Sequence, residues 1–156
     1  AKRQNLDNGI AQSEIHRSYY AYTISVDLDR VGIDGEINVS NEEKAKRVKT
    51  LLETVQYLYR DIRGRRENLS PLFIIGGNYE RKNPFFENIV KIDNNMINVN
   101  ALAEMKESNE DLEKSTIVGV TSGIFNNDSQ IKEKLGAVTI AEAFGEFKKK
   151  VDEYYA

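Results

Sequence analysis

The sequence predicts an α+β fold: a ferredoxin-like sandwich, with helices packed on one face of an antiparallel sheet. Three observations point there. Residues 20–28 alternate with period two, two long stretches repeat apolar residues at three- and four-residue spacing, and several short apolar runs end in Gly- or Asn-containing turns. The resulting order is β, α, β, β-hairpin, α, β, α. A length of 156 residues suits one domain, and 40% apolar residues suffice for a core. No repeat, low-complexity tract or linker divides the chain.

Residues 1–15 are polar, with Asn8-Gly9 as a turn signal, and are expected to be a loop or a ragged end. Order is expected from residue 16 to 156. Tyr20, Tyr22, Ile24, Val26 and Leu28 then alternate with Tyr19, Ala21, Thr23, Ser25 and Asp27, which predicts a half-buried strand ending in the turn chemistry of Gly32 and Asp34-Gly35. Ser40 and Glu43 form a capping-box pair. Ala45, Val48, Leu51, Leu52, Val55, Leu58, Tyr59 and Ile62 follow as one apolar stripe, predicting a helix that stops at Gly64.

Pro71 to Ile75 reads as a short buried strand closed by Gly76-Gly77. Phe85 to Ile92 and Met96 to Val99 flank Asp93-Asn94-Asn95, a hairpin signal. Ala101 to Glu113 is weakly helical and Thr116 to Val120 is a further strand. Thr139 to Tyr155 is an amphipathic helix, with Ile140, Ala143, Phe144, Phe147, Val151 and Tyr154 on one side.

Composition excludes several classes of function. The absence of cysteine rules out a disulfide framework, a cysteine-ligated metal site and a thiol nucleophile. One histidine, His16, makes the common zinc hydrolase sites improbable and has no evident acid or nucleophile partner. No apolar run is long enough to span a membrane, and the N-terminal residues lack the apolar stretch of a signal peptide. A cytoplasmic protein without a cofactor is expected. There is no GxxxxGK[ST], GxGxxG or GxSxG motif.

A net charge of −3 excludes holding a polyanion by bulk charge, so a local patch would be needed. Residues 42–66 carry eight Lys/Arg against four Asp/Glu, whereas residues 100–156 carry seven against eleven. Arg60, Arg63, Arg65 and Arg66 crowd seven positions where the predicted helix runs into a loop. Guanidinium forks match phosphate oxygens, and Asn68 and Ser70 add neutral hydrogen-bonding groups. The same arginines also fit a plainer part: complementing a helix C-terminus and pairing with Asp61 and Glu67. Arg17, beside His16, is a weaker candidate for nucleic-acid contact. Tyr19, Tyr20, Tyr22, Tyr57 and Tyr59 are able to stack on bases, although strand and helix packing explains most of them. Arg81-Lys82 is a basic loop tip that extends a groove or simply keeps a loop soluble. Asp27 and Asp29, two apart at a strand end, match half of a palm-type cation site, but no third carboxylate or phosphate loop accompanies them.

The blocks IHRSYYAYTISVDLDRVGID (15–34), LYRDIRGRRENLSPLFIIGGNY (58–79) and NPFFEN (83–88) closely resemble the DevR-type CRISPR-associated autoregulator family. The similarity runs on loosely through TIVGVTSGIFNN to the last helix. That family supplies the repeated backbone subunit of the type I Cascade surveillance complex. The resemblance implies a modified RNA-recognition-motif fold, assembly of several copies along one CRISPR RNA beside other Cascade subunits, and no nuclease activity. Family members are roughly twice as long, and the matched part is their C-terminal portion, which implies a sheet incomplete at its N-terminal side. Arg63, Arg65 and Arg66 are the expected RNA phosphate contacts, with Arg60, Arg17 and Asn68 behind them. Two rivals stay open: a metal-dependent nucleotidyl transferase or ribonuclease using Asp27 and Asp29, and a pure assembly protein.

Overall fold

Two apolar clusters organise the computed structural model, which describes residues 18–156. The elements run as a 3-10 turn (Leu28–Arg30), β1 (Ile33–Asp34), β2 (Ile37–Asn38), α1 (Asn41–Gln56), β3 (Tyr59–Ile62) and β4 (Arg65–Asn68). They continue through β5 (Phe73–Gly76), β6 (Ile92–Asp93), β7 (Met96–Ile97), α2 (Val99–Lys106), α3 (Glu110–Ser115), β8 (Ile117–Val120), α4 (Asp128–Leu135) and α5 (Ile140–Tyr155). The fold is α+β. Among the described residues the strands form four separate antiparallel ribbons, β1–β2, β3–β4, β5–β8 and β6–β7, rather than one sheet.

The β5–β8 ribbon carries the larger core. It pairs Phe73 with Val120 and Gly76 with Ile117, and Val118 and Val120 are buried with Phe86, Ile97, Leu102, Phe125, Ile131 and Leu135. A short parallel bridge to Val138 extends it, through Val120 N to Val138 O at 2.9 Å and Val138 N to Val118 O at 3.0 Å. Each large apolar side chain withdrawn from water contributes about 1.5–3 kcal/mol. The smaller cluster joins Ala45 and Val48 of α1 to Val151 and Tyr155 of α5.

Helix α5 joins the β5–β8 ribbon to the smaller cluster. Its first half lies on β8, where Ala143 and Phe144 are buried. Its second half packs on α1 through Val151 and Tyr155, and Lys49 bonds Asp152 at 2.6 Å across the seam. A reciprocal capping box starts it: Thr139 Oγ1 accepts from Glu142 N at 3.2 Å, and Glu142 Oε2 accepts from Thr139 N at 2.9 Å. The Thr139 backbone N–H, and then its hydroxyl, donate to the Glu142 carboxylate and hold it below its ordinary range. Of the expected apolar stripe, Tyr155 rather than Tyr154 is buried.

Several expectations are corrected. Residues 20–28 form no strand: alternation supplies a face, but the segment has no ladder partner among the described residues, and Tyr20, Tyr22, Ile24 and Val26 are exposed. Asp27 instead caps the 3-10 turn, accepting from Asp29 N at 3.2 Å. α1 starts at the expected Ser40 cap, where Ser40 accepts from Glu43 N but the Glu43 carboxylate pairs with Arg47 instead of closing the box, and it stops at Gln56, not at Gly64. Beyond it, Tyr59 to Asn68 fold back on themselves about Arg63-Gly64, whose φ values of 50° and 78° both lie in the left-handed region. Two such residues between antiparallel strands make the hairpin turn that suits right-handed strand twist.

Phe85 to Val90 turns rather than extending, which sinks Phe86 into the core. The expected hairpin survives only as β6–β7, about Asn94 and Asn95, both at positive φ. The single helix expected over 101–113 is two, because Asn109 caps α3 by accepting from Leu112 N at 2.9 Å. α4 was not expected. Buried Asn127 just before it bonds both backbone groups of Ile97, at 3.0 and 2.7 Å, substituting for a ladder partner.

Gly119 sets the approach of α5. A Cβ there would lie 2.7 Å from Ala143 Cβ and 3.0 Å from Ile74 Cγ2. Gly119→Val is expected to destabilise the fold by about 1–3 kcal/mol through overpacking, read by urea denaturation. Wild-type stability in that variant would mean that α5 does not rest on β8 there.

Candidate nucleic-acid interface

The four clustered arginines lie on the β3–β4 hairpin, not on a helix end as expected. The register pairs Tyr59 with Asn68, Arg60 with Glu67, Asp61 with Arg66 and Ile62 with Arg65. Directly paired residues share a face and alternate residues change face. One face therefore carries Tyr59, Asp61, Arg66 and Asn68. The other carries Arg60, Ile62, Arg65 and Glu67, with Arg63 at the tip. Every residue of the two strands is exposed except partly buried Glu67, and the hairpin packs broadly on no other described element.

Its base is tied down locally. Leu69 N donates to Leu58 O at 2.8 Å, and the Tyr22 hydroxyl donates to Leu69 O at 3.3 Å. Asn68 Oδ1 accepts from Ser70 N at 2.9 Å, fixing the chain where it leaves β4. Burial raises the Tyr22 hydroxyl above its usual value.

The arginines are held unequally. Arg66 donates from Nε and Nη2 to the two carboxylate oxygens of Asp61, at 3.2 and 3.4 Å, and its Cζ lies 4.2 Å from the centre of the Tyr59 ring. Arg65 Nε approaches Glu67 Oε1 at 3.5 Å with a side chain 79% exposed. Arg60 makes no ion pair among the described residues. A single exposed pair such as Arg65 with Glu67 contributes about 0–1 kcal/mol, so it costs little to exchange. Arg63 takes a backbone conformation in which non-glycine residues are uncommon.

Of the four cations of α1, Lys46 is exposed without an ion pair among the described residues, and the other three are engaged or buried. Arg47 pairs with Glu43 at 2.9 Å, Lys49 with Asp152 at 2.6 Å, and Lys44 is buried. The Asp27–Asp29 pair is also engaged: Lys82 Nζ reaches Asp27 Oδ1 at 2.8 Å and Asp29 Oδ2 at 2.6 Å. Tyr154 adds a hydrogen bond to Asp29. Lys82, read in the sequence as a loop-tip cation, is thus the partner of both aspartates. Among the described residues no group of three His, Cys, Asp or Glu is placed to hold a metal ion. Arg17 and His16 lie outside the described residues. What the sequence reading undervalued was Tyr59, and the Arg63-Gly64 pair between short β-compatible runs was the available signal.

The lysine hydrogen bond, then that of Tyr154, holds the Asp29 carboxyl below its ordinary 3.8; hydrogen bonds to Asp27 and then Asp29 raise Lys82, and the bond to Asp29 raises Tyr154. A carboxyl lowered on folding stabilises the fold above its unfolded value, and that stabilisation is lost as pH falls through the folded one. Thermal melts between pH 7 and pH 2.5 should therefore show a decline below about pH 4 that is shallower in Asp29→Asn. An identical decline in the variant would remove this contact from the acid response.

No described helix is long and apolar enough to cross a membrane. No curated protein and no solved structure matches the chain. A family model described as CRISPR-associated negative auto-regulator DevR/Csa2 matches residues 2–117, which takes in α1, the whole arginine hairpin, the Lys82 cluster and the start of β8. With most of its length matched, including every element that builds the hairpin, the chain belongs to the CRISPR-associated DevR/Csa2 family.

Proposed function

We propose that this chain is a non-catalytic, CRISPR RNA-binding backbone subunit of a type I CRISPR surveillance complex. It grips the RNA phosphates and assembles along the RNA with further copies of itself and with other Cascade subunits. The observation that carries the reading is the exposed hairpin, which concentrates Arg60, Arg63, Arg65 and Arg66 on one two-stranded projection. Such a projection enters a groove or follows a strand of phosphates, where planar guanidinium forks bind two oxygens at once. Family membership supplies the CRISPR context. The modified RNA-recognition-motif architecture belongs to this proposal. The exposed apolar side chains of Tyr20, Tyr22, Ile24 and Val26 support assembly, because a run of this kind is stabilised by covering it.

Labelled single-stranded RNA of CRISPR-repeat sequence, followed by fluorescence anisotropy at two salt concentrations, tests the reading. Binding should weaken steeply with salt. Replacing Arg63, Arg65 and Arg66 together with Ala should weaken it further and lower the salt slope by about two to three, one for each phosphate contact removed. Unchanged affinity and slope in a folded triple variant would take these arginines out of the RNA site.

The non-catalytic part of the reading is supported by the Asp27–Lys82–Asp29 arrangement, in which an ammonium occupies the place a divalent cation would need. Calorimetric titration with Mg²⁺ or Mn²⁺ is expected to give no saturable heat. Tight binding that disappears in Asp27→Ala would favour a metal-dependent enzyme instead.

A further inference from the structure

The two faces of the β3–β4 hairpin differ in chemistry. On the Tyr59 face one arginine and one aspartate cancel, leaving an aromatic ring, an amide and a neutralised guanidinium. The opposite face has Arg60 and Arg65 against Glu67, and Arg63 sits at the tip. Attraction for phosphate is thus concentrated on the Arg60–Arg65 side, and the Tyr59 side is electrically balanced.

Arg66 is the informative residue. Asp61 occupies its Nε and Nη2, the in-plane edge with which a guanidinium would fork a phosphate. In-plane hydrogen bonds leave the two flat faces of the group free for stacking. The guanidinium lies over the Tyr59 ring, with Cζ 4.2 Å from its centre, while the side chain as a whole stays 65% exposed. Tyr59 is itself 54% exposed, so core packing does not account for it. The carboxylate holds the guanidinium by its edge, over the ring, before any ligand arrives.

We propose that this face is a stacking surface for one unpaired nucleobase, laid on the Arg66 guanidinium above Tyr59, while the hairpin tip and the Arg60–Arg65 face take the phosphates. The proposal rests on the RNA-binding reading and refines it: Arg66 acts by its plane rather than by its charge. Asp61 is a positioning residue that holds that plane. A surface of this kind accepts a base that is free to leave its neighbours and rejects a base locked in a duplex.

The sequence has no tryptophan, so Tyr59→Trp introduces a single indole at the stack. Saturating oligouridylate should quench its fluorescence, whereas inorganic polyphosphate, which offers charge without bases, should not. In parallel, Arg66→Lys retains the charge and loses the plane. It and Tyr59→Leu should each weaken single-stranded RNA binding about 5- to 100-fold with an unchanged salt slope. Circular dichroism establishes that each variant is folded, and if the tryptophan variant is not, the other two decide.

An Arg66→Lys variant that binds like wild type would show that charge alone matters and would overturn the stacking role. So would an unquenched indole in a protein that still binds RNA by anisotropy, and in both cases RNA binding itself would stand. A wild-type chain whose anisotropy titration gives no binding would overturn this inference together with the reading it rests on.

Discussion

The contact on which the rest of the structure depends is the passage of α5 over Gly119 of β8 and onward along α1. Through that helix the ribbon that carries the larger cluster is joined to the smaller cluster on α1. A side chain at position 119 would push Ala143 outward, and a helix lifted at its first half would lose its seam with Val48 at its second. The ribbons themselves are too short to be stable alone, since two strands become independent only when a face is covered. Helix α5 covers the β5–β8 ribbon, and the side chains of α2 and α4 cover it from the larger cluster.

This arrangement leaves the β3–β4 hairpin outside both clusters, joined to the body at Leu58 and Leu69. Its strands bury almost nothing, so its shape is held by its own ladder, by the Arg63-Gly64 turn and by cross-strand contacts such as Asp61 with Arg66. A segment held only by such weak terms adds little to the stability of the body. The positive φ of Arg63 fits the same view, because asparagine or glycine would occupy that position with less strain. Four arginines on such a projection would repel one another without the acidic residues interleaved among them, and Asp61 and Glu67 serve that purpose.

A second constraint ties the chain leading into the fold to its last turn. Lys82 gathers Asp27 and Asp29, Tyr154 reaches Asp29, and the Tyr155 hydroxyl donates to Leu28 O at 2.7 Å. The paired aspartates that resemble half of a cation site therefore serve as an anchor between distant segments. Carboxylates two residues apart say only that two negative charges are close. Which cation joins them depends on a loop more than 50 residues away in sequence.

The sequence by itself determined the elements whose signals are local. The Ser40 cap started α1 where expected, because a cap is a hydrogen bond across three residues, and the apolar stripe after Thr139 became α5. The apolar runs ending in Gly76 and Val120 became the core ribbon, and the arginine cluster was legible as a list of residues. Tertiary structure decided the rest. The alternation over 20–28 matched a strand, yet strand formation needs a second backbone, which periodicity cannot supply. The stripe through Leu58, Tyr59 and Ile62 matched a helix, yet those side chains had no surface to bury against, and the turn at Arg63-Gly64 drew them into a ribbon. That change placed Arg66 across from Asp61 and above Tyr59. Spacing along a chain fixes which side chains are neighbours within one element, and only the pairing of elements fixes which charges cancel and which remain exposed.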